Sequence, residues 1–414
     1  MTKISRRKLL QSTTMYASAV VLDKIAWAQS GTGVNKKIVI SMQPQLYHGW
    51  PTLTKRSNGE LLLVYSGGRE SHVCPFGRVE LMRSKDEGKT WSFPRTLIDG
   101  PLDDRDSGVM ETRRGTLLVT TFTSVGYESI LSHAENADLK QQPIWSQEKL
   151  RRWQAAHSRV SAAEREIKLG SWMIRSTDGG LNWSAPYRCL VNSPHGPIQF
   201  SDGRLLYAGK IFWYGRSGQA NGRIGICEST DDGQTWSWLA EIPTREGDSN
   251  TNYHELYAIE TFNQGLIVHI RNHNRNNEKE ILQTESFDGG KTWSIPHTIG
   301  VWGLPSHLLR LKDGRLLMSY GHRRPPLGNQ ARISRDQGFK WSQAITISSD
   351  GVSSDLGYPS TVELNDGSLL TVWYEVMTAD RPSEIPLENR LDRLTALASP
   401  SSVAVLRQAH WSLS

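Results

Sequence analysis

The chain has 414 residues, of which 37% are hydrophobic, and it contains 15 Trp, 36 Gly and 18 Pro. This composition is typical of a soluble, turn-rich β protein and excludes a low-complexity chain. The formal net charge is +6, and beyond the amino terminus no segment has the run of about 18 apolar residues that a membrane span needs.

The amino terminus has the features of an export signal. A twin-arginine start, Ser5-Arg6-Arg7-Lys8-Leu9-Leu10, precedes a modest apolar run and the small-x-small triplet Ala26-Trp27-Ala28. This order resembles a twin-arginine export peptide, and it predicts removal of residues 1–28 and a periplasmic or secreted product. The removed piece carries five basic residues and one acidic residue, so the net charge falls from +6 to +2. A charge that small does not indicate a nucleic-acid partner.

The cysteines do not form a recognisable framework. There are three, Cys74, Cys189 and Cys227, and none has CxxC spacing. An odd number without that spacing argues against a zinc ribbon and a disulfide scaffold, although one disulfide remains open in an oxidising compartment.

Five octets share the pattern Ser-x-Asp-x-Gly-x-(Thr/Asn/Lys)-Trp. They lie at 84–91, 176–183, 229–236, 286–293 and 334–341. Asp accepts hydrogen bonds from turn backbone, Gly supplies a positive φ angle, and Trp packs back between sheets. The pattern predicts a structural β-hairpin repeated five times.

A second repeat, two apolar strands joined by a glycine turn, occurs six times. The turns are Asn58-Gly59, Arg114-Gly115, Asp202-Gly203, Gln264-Gly265, Asp313-Gly314 and Asp366-Gly367. Six such units predict an all-β fold over residues 37–414, a six-bladed β-propeller of four-stranded antiparallel blades. The sixth unit lacks an octet, and we expect Lys37 to Met42 to pair beside Val403 to Leu406 and close the ring.

Two insertions interrupt the repeat. The first two octet tryptophans lie 92 residues apart, against 48 to 57 elsewhere. The extra residues, about 126–170, contain a stretch from Trp145 to Ile167 that predicts a helix in blade two, as a lid or an oligomer contact. A smaller polar insertion runs from Thr378 to Ser402 in blade six.

Polar residues concentrate at one predicted rim. Strand-one starts and strand-two ends share that rim because neighbouring strands are antiparallel, and the octet hairpins lie at the other rim. Strand-one starts hold His48, Asp106, His195, His254, Glu255, His307 and Tyr358. Strand-two ends hold Arg69, Glu70, Ser71, His72, Lys210, Arg271, Asn272, His273, His322, Arg323, Tyr374 and Glu375. The sequence therefore predicts a site at this rim.

The octets resemble the Asp-box, or BNR repeat, of the sialidase superfamily. The segment Gly357-Tyr358-Pro359-Ser360-Thr361, followed by Trp373-Tyr374-Glu375, looks like the sialidase nucleophile strand and the strand after it. The resemblance implies that Tyr358 attacks the anomeric carbon while Glu255 takes its proton. It also implies that Arg271, with Arg323 as a looser match, clamps a substrate carboxylate. A neutral phenol suits this chemistry, because the carboxylate beside the anomeric carbon repels an anionic nucleophile.

The chain departs from the family pattern at two places. Gly49-Trp50-Pro51 stands where the family has Arg-Ile-Pro, so the first arginine of the usual triad is absent. No Asp follows the second strand of blade one, where the family has its acid/base, and Glu70, His72 or Asp106 would have to protonate the leaving oxygen. Other rim residues are predicted to bind substrate, namely Arg69, His48, His72, His195, His254, His273, His307 and His322.

The favoured function is an exo-glycosidase that releases a terminal acidic sugar, sialic acid or a related ulosonic or uronic acid, with a tyrosine nucleophile and a retaining outcome. A polysaccharide lyase or another glycosidase acting on uronic-acid glycans is an alternative, and a noncatalytic carbohydrate-binding propeller is another. We predict no cofactor and no metal, because the histidines show no short-range ligand motif such as HExxH. The expected partner is a carbohydrate.

Overall fold

The computed structural model describes residues 36–43, 45–211, 222–377 and 403–413. The export signal predicted over residues 1–28 and the insertion predicted over 378–402 lie outside these residues. Within them, the strands form six four-stranded sheets, each pairing its strands antiparallel. The predicted six-bladed propeller of four-stranded blades is confirmed.

The first strand of the chain, β1 (Ile38–Val39), belongs to the last blade. Blade one comprises β2 (Tyr47–Lys55), β3 (Leu61–Arg69), β4 (Arg78–Ser84) and β5 (Arg95–Ile98). Blade two comprises β6 (Asp103–Glu111), β7 (Leu117–Ser124), β8 (Ser171–Ser176) and β9 (Tyr187–Cys189). Blade three comprises β10 (Ile198–Gln199), β11 (Leu205–Lys210), β12 (Ile224–Ser229) and β13 (Ser237–Glu241).

The remaining blades repeat the arrangement. Blade four comprises β14 (Tyr253–Glu260), β15 (Leu266–Asn272), β16 (Glu280–Ser286) and β17 (His297–Trp302). Blade five comprises β18 (Ser306–Arg310), β19 (Leu316–His322), β20 (Gly328–Ser334) and β21 (Ile345–Ser348). Blade six comprises β22 (Leu356–Glu363), β23 (Leu369–Val376), β24 (Ala404–Trp411) and β1.

Blade six contains strands from both ends of the described chain. β1 runs antiparallel to β24, with Ile38 opposite Gln408. The backbone N–H of Ile40 donates to the carbonyl of Leu406 at 2.9 Å. The predicted closure of the ring by the segment near Lys37 is therefore confirmed.

Adjacent blades pack through their apolar faces. Leu62 and Val64 of blade one, for example, lie in one buried cluster with Val109 and Val119 of blade two. Alternation along each strand gives every blade two apolar faces, one for each neighbour. The packing of faces around the ring positions the strand ends that form the candidate site.

The insertion in blade two consists of helices. They lie between β7 and β8 and are α1 (Tyr127–Leu139), α2 (Gln147–Ser158) and α3 (Ala162–Lys168). The single helix predicted from Trp145 to Ile167 is wrong, because Ser161 and Glu164 form a capping box that starts α3 afresh. Trp153 of α2 is fully buried and packs with Tyr127 of α1 and with Cys74 from the loop after β3.

The octets form the predicted hairpins between the third and fourth strands. In the first, the backbone N–H of Gly88 donates to Ser84 Oγ at 2.8 Å, and Asp86 accepts the backbone N–H four residues further on at 2.9 Å. Gly88 has φ 83°, a conformation that favours glycine. Trp91 Nε1 donates to Gln408 Oε1 of β24 at 2.8 Å, so this octet also links blade one to blade six.

Replacing Asp288 with Ala is expected to destabilise the fold and leave catalysis intact. Its carboxylate accepts the backbone N–H groups of Lys291 at 3.0 Å and Thr292 at 2.9 Å. We expect a loss of about 1 kcal/mol in the free energy of unfolding, measured with denaturant, because exposed turn bonds are worth that much. Asp288→Asn, which keeps one acceptor oxygen, serves as the milder control. A selective loss of activity at unchanged stability would contradict the structural role.

No helix among the described residues is long and apolar enough to cross a membrane. The three cysteines, Cys74, Cys189 and Cys227, are buried and unpaired with one another.

Candidate active site

Backbone irregularities recur near the starts of the first strands, where candidate site residues lie. In five blades a non-glycine residue there has a positive φ, and these residues are Trp50 (54°), Asp106 (47°), His195 (72°), Glu255 (44°) and Tyr358 (52°). The pairing of the first strand with the second shifts register at four of these places. A bulge redirects a side chain, and such a conformation costs about 1–3 kcal/mol per residue.

Tyr358, Glu255 and Arg271 form a hydrogen-bonded triad across blades four and six. The phenol of Tyr358 donates to Glu255 Oε1. Arg271 Nη1 donates to Glu255 Oε1 at 2.7 Å, to Oε2 at 2.6 Å and to the Tyr358 oxygen at 3.1 Å. The triad therefore couples a hydroxyl, a carboxylate and a fixed cation.

The electrostatics of the triad keep the phenol neutral and the carboxylate ionised. Burial raises the pKa of Tyr358 well above its usual value, and the charge of Glu255 raises it further. Burial alone would raise the pKa of Glu255 as well, but Arg271 outweighs it and holds that pKa below its usual value. Glu255 is thus an ionised carboxylate next to a protonated phenol.

Asp106 is a buried carboxyl close to this triad. Its side chain is 8% exposed, and Oδ1 has no hydrogen-bond partner among the described residues. Burial raises its pKa to about 7, with a further contribution from the charge of Glu255. A carboxyl in this state carries a proton at weakly acidic pH and can donate it to a ligand.

Two further guanidinium groups lie near the triad. That of Arg323 lies 5.8 Å from the centroid of the Tyr358 ring, and its Nε donates to the carbonyl of Leu356 at 2.9 Å. That of Arg105 lies 4.4 Å from the centroid of the Trp50 ring. Nε of Arg105 is buried and has no hydrogen-bond partner in the described part of the chain. Together with Arg271 these groups make the site suitable for an anion.

A family model for the BNR repeat-like domain matches residues 131–371. The chain belongs to the BNR repeat-like family. Its octets, its six blades and its relatives place it among the sialidase-superfamily propellers.

Relatives of this BNR repeat-like protein include a protein named sialidase from Bacteroides fragilis (strain YCH46). The two are 25% identical over 358 residues, which cover 80% of this chain and 60% of the relative. The chain thus spans about three fifths of the length of that curated relative.

Solved structures share the fold. A protein of unknown function from Dyadobacter fermentans DSM 18053 superposes with a TM-score of 0.68 at 22% identity, covering 93% of this chain and all of that one. The NanB sialidase from Streptococcus pneumoniae superposes with a TM-score of 0.62 at 14% identity, covering 92% of this chain and 71% of that one. At these identities the likeness shows the fold alone.

Arg69 of the BNR repeat-like chain is engaged in a buried ion pair. Its side chain and that of Asp103 are both 0% exposed, with Nη1 2.5 Å from Oδ1 and Nη2 2.9 Å from Oδ2. Nη2 also donates to the carbonyl of His72 at 2.9 Å. The sequence predicts substrate binding for Arg69, but here its donors hold the start of blade two against the end of β3.

Glu70 faces the helical insertion. It accepts hydrogen bonds from Arg152 Nε at 2.6 Å and from Trp153 Nε1 at 3.0 Å, both on α2. Glu70, one of the three predicted candidates for the acid, therefore links blade one to the insertion. The other two candidates lie elsewhere: Asp106 is beside Glu255, and His72 is beside Trp50.

Replacing Glu70 with Ala is expected to loosen the insertion and leave turnover largely intact. The loss of two hydrogen bonds, one of them to a buried tryptophan, should cost about 1–3 kcal/mol of local stability. Faster hydrogen exchange in α2 measures this effect. Arg152→Ala is the matched control, since it breaks the same contact from the other side. Loss of turnover in Glu70→Ala alone would restore Glu70 as the acid.

His195 and His307 meet where four blades face one another. They are 1% and 4% exposed, and their ring centroids lie 4.9 Å apart. Nδ1 of His195 lies 3.3 Å from Thr52 Oγ1, and Tyr257 stacks on His307 at 5.0 Å. Burial lowers the pKa of both histidines, to about 3 for His307, so the pair is a neutral, buried layer with little surface for a ligand.

His254 and His273 flank the triad. Arg271 Nε donates to His273 Nε2 at 2.7 Å, and the rings of the two histidines lie 5.1 Å apart. Nδ1 of His254 lies 3.4 Å from Lys210 Nζ. Burial lowers the pKa to about 3 for His254 and to about 4 for His273, so both are neutral hydrogen-bonding groups at the edge of the site.

His48 and His322 have structural surroundings. His48 is 0% exposed, with Nδ1 3.0 Å from Ser41 Oγ, and His322 Nδ1 donates to the carbonyl of Pro326 at 3.1 Å. In the described residues, no group of three or more His, Cys, Asp or Glu side chains is placed to hold a metal ion.

His72 lies against Trp50, and its partner is a residue that the sequence analysis missed. The two ring centroids are 5.0 Å apart at 88°, and Nδ1 lies 3.0 Å from Asp355 Oδ1. Asp355 precedes Tyr358 by three residues, and Arg105 directly precedes Asp106. Closeness in sequence to Tyr358 and Asp106 is the signal that could have indicated Asp355 and Arg105. Their partners, His72 and Trp50, come from another blade and cannot be read from that closeness.

Proposed function

We propose that this protein is a retaining exo-glycosidase that releases a terminal acidic sugar, sialic acid or a related ulosonic or uronic acid, from glycans. The observation that carries the proposal is the triad of Tyr358, Glu255 and Arg271, in which a neutral phenol donates to an ionised carboxylate beside a fixed cation. The curated relative named sialidase supports the same chemistry. Because residues 1–28 are predicted to be an export signal, we propose that the reaction takes place outside the cytoplasm.

In the proposed reaction the substrate carboxylate lies against Arg271 and Arg323. The Tyr358 oxygen attacks the anomeric carbon while its proton passes to Glu255, and the glycosidic bond breaks as an acid protonates the leaving oxygen. Water then attacks the glycosyl-tyrosine and gives a proton to the conjugate base of that acid. The bond from the anomeric carbon to the Tyr358 oxygen breaks, and this oxygen recovers the proton from Glu255. Two displacements at one carbon retain its configuration.

A polysaccharide lyase acting on uronic-acid glycans is a second candidate. Burial lowers the pKa of His72, and this effect outweighs the charge of Asp355, which raises it. An unprotonated imidazole is therefore available to remove the proton at C5. Arg271 and Arg323 would then neutralise the uronate. A noncatalytic binding propeller does not need the coupling of Tyr358 to Glu255.

The deciding experiment incubates the purified protein with a panel of acidic oligosaccharides. Released saturated sugar and the ultraviolet absorbance of an unsaturated product are followed in parallel. Saturated sugar alone supports the hydrolase, and a rise in absorbance supports the lyase. Binding by calorimetry without either product would support the carbohydrate-binding alternative and overturn the proposal.

A further inference from the structure

Asp355 is the centre of a hydrogen-bonded group beside the proposed nucleophile. Tyr47 OH donates to its Oδ2 at 2.8 Å, Tyr374 OH donates to its Oδ1 at 2.8 Å, and His72 Nδ1 lies 3.0 Å from Oδ1. Both tyrosines are almost fully buried. Burial would raise the pKa of Asp355, but His72 and the two phenols outweigh it and hold that pKa well below its usual value. Asp355 is therefore an ionised acceptor.

The donors around Asp355 fix the position of the proton on His72. Tyr47 has one hydroxyl proton, which goes to Asp355, yet its oxygen also lies 2.8 Å from His72 Nδ1. Nδ1 must then be the donor in that contact and in the contact with Asp355. The nitrogen that exchanges protons with a ligand is Nε2.

His72 and Tyr358 both contact the ring of Trp50. The His72 and Trp50 ring centroids are 5.0 Å apart, and the Trp50 and Tyr358 centroids are 6.4 Å apart. The His72 side chain keeps 26% of its surface exposed. Asp106, by contrast, is 8% exposed and interacts most strongly with Arg105 and with Glu255 of the triad. A retaining glycosidase needs its acid and its nucleophile on either side of the scissile bond.

We propose that His72 is the catalytic acid/base of this site and that Asp355 is its positioning residue. The proposal rests on the hydrolase function above. As the Tyr358 oxygen bonds to the anomeric carbon and the glycosidic bond breaks, the proton on His72 Nε2 passes to the leaving oxygen. In the second step Nε2 takes a proton from the attacking water. Asp355 holds Nδ1 protonated throughout, as a carboxylate does for the histidine of a serine protease.

This assignment has a consequence for the pH dependence. The charged and titratable groups that face His72 are Asp355, Tyr47, Arg69 and Arg105. Burial and the two arginines lower its pKa, and Asp355 opposes them. The imidazolium is the active form in the first step, so kcat/KM falls as the pH rises through the pKa of His72, below the usual value of about 6.5. Hydrolysis should therefore be fastest on the acid side.

The test compares leaving groups in His72→Gln. One substrate carries the acidic sugar on another sugar, whose oxygen must be protonated to leave, and the other carries it on a nitrophenol, which leaves unprotonated. We expect kcat on the sugar-linked substrate to fall by about 10²- to 10⁴-fold and kcat on the aryl substrate to fall far less. Asp355→Asn should give the same selective loss at nearly constant KM and should shift the alkaline limb of the pH profile.

Asp106→Asn is the matched comparison, and melting curves of all three variants check their folding. An equal loss on both substrates in His72→Gln, or a selective loss in Asp106→Asn alone, would overturn the assignment. If the wild-type protein cleaves both substrates, either of these two outcomes rules out the role of His72 and leaves the hydrolase function standing. If the wild-type protein cleaves neither, the hydrolase function fails and the assignment fails with it.

Discussion

Tyr358→Phe is expected to lower kcat on an acidic glycoside by about 10³-fold or more, since removing a covalent nucleophile costs at least that much. Binding should survive, because the ring keeps its contacts with Arg323 and Trp50 and loses only the oxygen. Steady-state kinetics and calorimetry with the free acidic sugar measure the two effects separately.

Tyr320→Phe is the control for this change. Tyr320 is fully buried, and its hydroxyl donates to Gln330 at 2.8 Å and accepts from Arg332 at 3.1 Å, within blade five. It should lose about 1–2 kcal/mol of stability with kcat unchanged. Full activity in Tyr358→Phe would remove the phenol from the mechanism and favour a lyase with a histidine base.

Arg69→Met is expected to have the largest effect on stability. The substitution leaves the carboxylate of Asp103 buried at 0% exposure without its bidentate partner, a situation that costs about 3–5 kcal/mol. Arg105 cannot compensate fully, since its Nη1 lies 3.8 Å from Asp103. Denaturant titration gives the free energy of unfolding.

The double variant Arg69→Met/Asp103→Asn provides the comparison, because it removes both charges. It should recover much of the stability that the single variant loses. If Arg69→Met instead kept its stability and lost affinity for acidic sugars, Arg69 would be the substrate ligand that the sequence predicts.

The blade count is readable in the sequence because it rests on local patterns. The octets and glycine turns specify hairpins through backbone chemistry, which does not depend on distant contacts. The strand-end positions of Tyr358, Glu255 and Arg271 predict only that they lie at one rim, and their roles come from the resemblance to the sialidase superfamily. The break between α2 and α3 was missed because a run rich in Ala, Glu and Arg predicts one helix, and Ser161 acts as a cap only in its folded context.

The orientation of rim residues was less predictable. His254 and Glu255 are neighbours at the same strand start, yet the bulge turns Glu255 to Tyr358 while His254 lies beside Lys210. Along a strand, a shift of one residue exchanges the two faces. Likewise, the partner of Arg69 comes from the next blade, so nothing near position 69 indicates that its charge is already neutralised.

The pairing of β1 with β24 also determines when, during synthesis, the last sheet of the fold can be completed. During synthesis, residues through Ser348 suffice for five sheets, but the amino-terminal strand has no partner until Ala404–Trp411 has been made. Ser41 then accepts the backbone N–H of Leu406 at 2.8 Å and lies 3.0 Å from His48. Strand pairing in blade six is therefore completed by segments from opposite ends of the described chain.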